Sequence, residues 1–241
     1  MDGMSGSRPR HRGESHRADF GGTLNWLRAA VLGANDGLVS TAGIVVGVAG
    51  ATTAVPTILT AGVAGLVAGA LSMAGGEYVS VSTQRDTEAA ALERERSELA
   101  TMPVEEEAEL AAIYQGRGLS ESLSREVAKE LTARDALRAH AETELHIDPD
   151  ILTSPWQAAG ASFLSFAVGG LIPVLGILAP VGEQRIALCV AAVIVGLILT
   201  GYLSARLGGA PPGAAVLRNV AVGALTMAIT WAVGRLTGAA L

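Results

Sequence analysis

Five stretches of the chain are apolar over about the 20 residues that a bilayer crossing requires: 27–50, 55–83, 156–180, 185–207 and 216–236. Between the second and the third, from Arg85 to Asp150, the pattern inverts and charged residues dominate. The chain is therefore expected to be all-α and polytopic, with five transmembrane helices and a three-helix water-facing domain between the second and third. The divisions fall at 1–22 (a basic arm), 23–83 (two spans), 84–150 (the polar domain) and 151–241 (three spans).

Local signals refine this outline. The first span contains Asn35-Asp36-Gly37, which in a soluble protein marks a turn. Open backbone is not tolerated in lipid, so one helix is expected through it. No helix breaker separates Glu77 from Leu99, and the second span should run on as a charged helix to Met102-Pro103. A second polar helix starts at Pro103, a residue suited to the first turn, and stops at Gly116-Arg117-Gly118. Ser120 is the expected N-cap of a third, with Leu123, Val127 and Leu131 as its buried stripe, running to Leu145. Pro180-Val181-Gly182 and Pro211-Pro212-Gly213 make the remaining turns. Glycines at four-residue spacing, Gly33/Gly37, Gly43/Gly47 and Gly65/Gly69, allow close helix approach, on each other or on a second copy.

Half of the 241 residues are hydrophobic and 17% are charged, which excludes an ordinary soluble domain. Residues 85–150 hold 17 Asp and Glu against 8 Lys and Arg, a local net charge of −9 in a chain of −6. With the N-terminus in the cytoplasm, 15 of the 17 basic residues face that side, and the positive-inside rule then makes the acidic domain cytoplasmic. Arg8, Arg10, Arg12 and Arg17 form an arm suited to anionic lipid, and His11 and His16 read as solvated tail residues. The single cysteine, Cys189, excludes an intrachain disulfide and a thiolate metal cluster.

The candidate chemistry is carried by carboxylates. Asp36 lies well inside a span, where an ionisable group marks an ion path or serves a neighbouring helix as a hydrogen-bond partner. Met73 and Glu77 are four apart on one helix face, a thioether beside a carboxylate. Glu95/Glu98 and Glu106/Glu109 are i, i+3 pairs on successive helices, and such pairs repel unless a cation sits between them. His140 and Glu144, also four apart, could add ligands from the third helix. Oxygen-rich sites take hard or borderline divalent ions. A run of charge is by default a solvated surface, and that reading remains open here. No nucleophile–base pair, phosphate loop or haem ligand set is present, so neither an enzyme nor an electron carrier is expected.

From residue 24 onward the chain resembles the vacuolar iron transporter family. The resemblance is carried by 32–50 (LGANDGLVSTAGIVVGVAG), 69–88 (GALSMAGGEYVSVSTQRDTE) and 111–145. It implies a homodimer with the ion path at its interface, a cytoplasmic metal-binding domain, and exchange of Fe²⁺ or Mn²⁺ for protons. It also implies that Asp36 and Met73 form the intramembrane site and that Glu95, Glu98, Glu106, Glu109 and Glu144 bind metal. The chain departs from the family where a Met-Met pair is replaced by His140-Ala141. No cofactor beyond the transported ion and no nucleic acid is implied. The composition, rich in Ala, Gly and Arg with one Lys, points to a bacterial plasma membrane. The competing expectation is a membrane-anchored metal-binding or sensing protein that transports nothing.

Overall fold

A computed structural model describes residues 20–149, 154–179 and 182–240, with side chains from residue 30 onward apart from that of Glu183. The basic arm up to residue 19 with His11 and His16, the link at 150–153, and Pro180 and Val181 of one expected turn lie outside the described residues. The elements are α1 (Phe20–Ala51), α2 (Val55–Thr101), α3 (Pro103–Gly116), α4 (Glu121–His140), a π-helical turn (Ala141–Leu145), α5 (Pro155–Leu178), a 3₁₀ turn (Gly182–Gln184), α6 (Arg185–Leu207) and α7 (Pro212–Ala240). No strand occurs among the described residues. Among the described residues, five helices are long and apolar enough to cross a membrane: α1 over Ala30–Ala51, α2, α5, α6 and α7.

Helix α1 continues unbroken through Asn35-Asp36-Gly37. It forms the centre of the bundle, touching α2, α5, α6 and α7. Two of its glycines make this possible, because at Gly37 and Gly50 another backbone sits too close for a side chain. A methyl group on Gly37 would strike the Phe166 carbonyl of α5, and one on Gly50 would strike the Trp231 carbonyl of α7. The reciprocal positions are Gly169, against the Ala34 carbonyl, and Gly234, against that of Gly47. The paired glycines of α1 thus seat α5 and α7, whereas Gly62 and Gly65 of α2 seat Val45 and Ile44 of α1. Leu38, Val45, Ile58, Ile177, Val193 and Leu197 fill the core between them.

At 47 residues, α2 is roughly 70 Å long at 1.5 Å per residue, over twice the ~30 Å of a hydrocarbon core. Its apolar half leans on α5, where Phe166 fills the space over Gly69 and the Tyr78 and Trp156 rings lie 4.7 Å apart. Its charged half meets α3, α4 and the π turn.

The third polar helix differs from expectation in two ways. Ser120 does cap it, its Oγ accepting the Leu123 N–H at 3.4 Å. The most buried positions, however, are Ser124, Ala128, Ala139 and His140; Val127 and Leu131 are half-buried, and Leu123 is 47% exposed. Leu110 and Ala111 of α3 pack against Ala128 and Ala139, with Tyr114 and the expected stripe residue Leu131 partly buried beside them. The helix also breaks at Asp135 (φ −165°, ψ 93°) and ends in the π turn instead of running evenly to Leu145. Asp135 recaps the chain, its Oδ1 accepting the Arg138 N–H at 3.0 Å.

A candidate metal centre

Four elements converge on His140. The imidazole is fully buried, and its Nδ1 lies 3.0 Å from Glu95 Oε1 (α2), 3.3 Å from Glu144 Oε2 (π turn) and 3.7 Å from Glu106 Oε2 (α3). Glu95 and Glu106 are themselves 3% and 6% exposed, and Glu144 is half-buried. Buried carboxylates are normally paired or bound to a cation. Here Glu95 Oε1 makes no aligned hydrogen bond despite the short approach, and His140 Nε2 has no hydrogen-bond partner among the described residues.

Burial pushes the Glu95 carboxyl above its ordinary range; His140 opposes the shift, and Glu144, Glu106 and Glu98 add to it. Glu106 is raised first by burial and then by Glu109, with His140 again opposing. Glu98 and Glu109 therefore act on the centre through their charge. Glu98 is half-buried and Glu109 exposed at its rim. One ligand atom from each of Glu95, His140 and Glu144 lies within 4.8 Å of the others. Divalent ions hold O and N ligands at roughly 2.0–2.6 Å, so neighbouring ligands stand about 3–4 Å apart and opposite ones about 4–5 Å. The spacing fits a single small divalent cation.

The intramembrane residues are not gathered in this way. Asp36 is half-buried on α1 and accepts a hydrogen bond from Ser40 Oγ at 2.6 Å. Val45 opposite Gly62 and Ile44 opposite Gly65 set an antiparallel register between α1 and α2, which puts Asp36 at about the depth of Leu71 and Met73. Met73 and Glu77 are both half-buried on α2, and Glu77 has no ion pair or hydrogen bond among the described residues. Leu32, Asp36, Ser40 and Ile44 form one stripe along α1 that the other described residues leave partly uncovered.

Residues that pattern alone did not single out complete both regions. Thr200 Oγ1 of α6 donates to the Leu197 carbonyl at 3.2 Å and lies 3.5 Å from both Asn35 Oδ1 of α1 and Asn219 Nδ2 of α7, so polar groups of three spans gather beside Asp36. Near the centre, Arg117 Nη2 donates to the Thr143 carbonyl at 2.6 Å, and the Tyr114 hydroxyl lies 3.3 Å from Thr143 Oγ1. Only the polarity of Thr200 and Asn219 within apolar spans could have flagged the first set. Nothing local marks the second.

The five spans and the acidic helical assembly on the second of them define an integral membrane protein with a polyacidic extension. The VIT family model matches residues 27–235, and the chain belongs to that family. It is 43% identical over 226 residues to the vacuolar iron transporter of Acanthamoeba castellanii, covering 93% of this chain and 83% of that protein. It is 38% identical to vacuolar iron transporter homolog 3 of Arabidopsis thaliana (91% and 87% covered) and 38% identical to homolog 1 of Oryza sativa subsp. japonica (95% and 81%). These relatives are named as transporters, and the chain is a membrane transporter family member, not an enzyme.

Proposed function

We propose that the protein moves Fe²⁺ or Mn²⁺ out of the cytosol across its membrane in exchange for protons. The observation that carries this reading is the buried, three-carboxylate, one-imidazole centre at Glu95, Glu106, His140 and Glu144, in a chain whose relatives are named iron transporters. The polar helices form a cytoplasmic domain that collects the ion and raises its concentration at the membrane entrance. Glu98 and Glu109 extend its negative rim. The ion then passes Glu77, nearer the polar half of α2, and reaches Met73 and Asp36, which lie at about the same depth. Protons from the opposite side neutralise these carboxylates and release the ion there.

A second copy of the chain fits the uncovered stripe of α1. A carboxylate facing lipid costs a few kcal/mol, and polar groups inside a membrane face protein or a water-filled path instead. A homodimer would set Asp36 and Ser40 of each protomer along a shared path. The distribution of basic residues supports a cytoplasmic N-terminus, with the plasma membrane of a bacterium as the setting. The anchored-sensor reading fits less well, because a sensor's anchor needs neither Asp36 nor Glu77 inside it.

Reconstituted protein in liposomes decides between them. Gradient-driven Fe²⁺ or Mn²⁺ uptake supports the antiporter. Metal binding without flux under any gradient would leave the sensor, and flux indifferent to the gradient would leave a channel.

A further inference from the structure

The turn that carries His140 and Glu144 is held from both sides by groups that do not face the centre. Before it, the backbone leaves helical geometry at Asp135, whose Oδ1 caps the restarted helix through the Arg138 N–H. Within it, Arg117 reaches from the end of α3 to the Thr143 carbonyl, with its guanidinium 5.5 Å from the Tyr114 ring centre and the Tyr114 hydroxyl against Thr143 Oγ1. Thr143 stands between the two metal-facing residues. After it, His146 adopts the left-handed conformation (φ 57°), and the Ile147 N–H closes onto the Ala141 carbonyl at 2.8 Å.

These contacts answer a specific structural need. The last carbonyls of a helix lack partners, and a charged donor satisfies them strongly. Wider π-helical turns occur mostly as single-turn features at functional sites. Resting on the metal-site reading above, we infer that Arg117 and Asp135 are positioning residues. They set the pitch and register of the Ala141–Leu145 turn so that His140 and Glu144 both face Glu95. Because Arg117 closes the same helix that carries Glu106, it also fixes the α3 carboxylate relative to the turn. Neither residue touches the ion.

The test uses full-length protein in detergent with Co²⁺ as the probe, because its absorption bands report ligand type and geometry as well as affinity. Arg117→Met and Asp135→Ala are compared in the parent chain and in a His140→Ala/Glu144→Gln background. Asp135→Ser, which keeps a cap, and Arg117→Lys, which keeps a charge but not the fork, serve as the conservative variants, with helix content followed by circular dichroism. In the parent, each disruptive change should weaken Co²⁺ binding roughly ten- to a hundredfold, as loss of an outer partner does, and alter the Co²⁺ spectrum. Asp135→Ser should restore both. In the background lacking the two ligands, the same changes should have no further effect. Equal losses in both backgrounds would overturn the inference by reducing these residues to general supports of the domain, as would parent-like binding by both variants. If the background itself bound Co²⁺ like the parent, the metal-site reading would fall and the inference with it.

Discussion

Glu95 and His140 meet at 3.0 Å, one on the long second helix and the other on the last turn of the polar segment, both sealed from solvent. A histidine and a carboxylate buried so closely, with Glu106 and Glu144 beside them, concentrate negative charge around one imidazole. The following predictions test what that arrangement does.

Removing the imidazole should weaken metal binding unequally. Nitrogen donors favour Fe²⁺ over Mn²⁺ along the first-row series. His140→Ala is expected to lower Fe²⁺ affinity by about tenfold or more, some 1.4 kcal/mol, and Mn²⁺ affinity by less. Anaerobic calorimetry with the two metals measures the difference. Equal losses would mean that His140 is not a direct ligand.

The raised Glu95 and Glu106 carboxyls imply a defined pH response. Metal requires them ionised, so Mn²⁺ affinity should climb as pH rises from near the ordinary carboxylate value through their elevated range. Metal-free stability should move the other way. A carboxyl held high in the folded state binds more protons folded than unfolded, so folding stability falls as pH rises through that window. Thermal unfolding of the metal-free protein, followed as pH rises above the ordinary carboxylate range, should therefore show a falling midpoint that Mn²⁺ restores. A rising midpoint without metal would contradict the assignment.

Asp36→Ala should abolish transport in liposomes while leaving the helix content and oligomeric state of the protein intact. Its side chain is half-buried and bonded only to Ser40 Oγ among the described residues, so its loss removes little packing. Metal flux at the native rate would remove Asp36 from the path.

Two glycine substitutions separate close packing from open surface. Gly37→Ala forces a methyl against the Phe166 carbonyl and should destabilise the bundle by about 1–3 kcal/mol. Gly160→Ala on α5 meets nothing within 4 Å and should be neutral or slightly stabilising. Thermal melting in detergent compares them, and equal midpoints would refute the proposed α1–α5 seat.

Much of the fold was legible because lipid enforces it. A run of apolar residues must close its own backbone hydrogen bonds, so span number, span length and the continuity of α1 through Asn35-Asp36-Gly37 followed from hydropathy alone. The second helix and its end before Pro103 followed from the absence of breakers, and the Ser120 cap from its chemistry. The α4 stripe followed only in part. Leu131 packs on the α3 contact and Val127 is half-buried, but Leu123 is exposed and Ser124 and Ala128 are buried instead.

By itself, the sequence determined which residue types could hold a cation and roughly which helices carry them, since carboxylate spacing and helix period are local properties. Only the tertiary structure decided that Glu95, Glu106, His140 and Glu144 share one buried point while Glu98 and Glu109 remain at its edge. That choice depends on how α3 and the broken α4 fold back onto α2. The Arg117 bond to Thr143 joins segments 26 residues apart, which no local pattern encodes, and the backbone break at Asp135 lies between them.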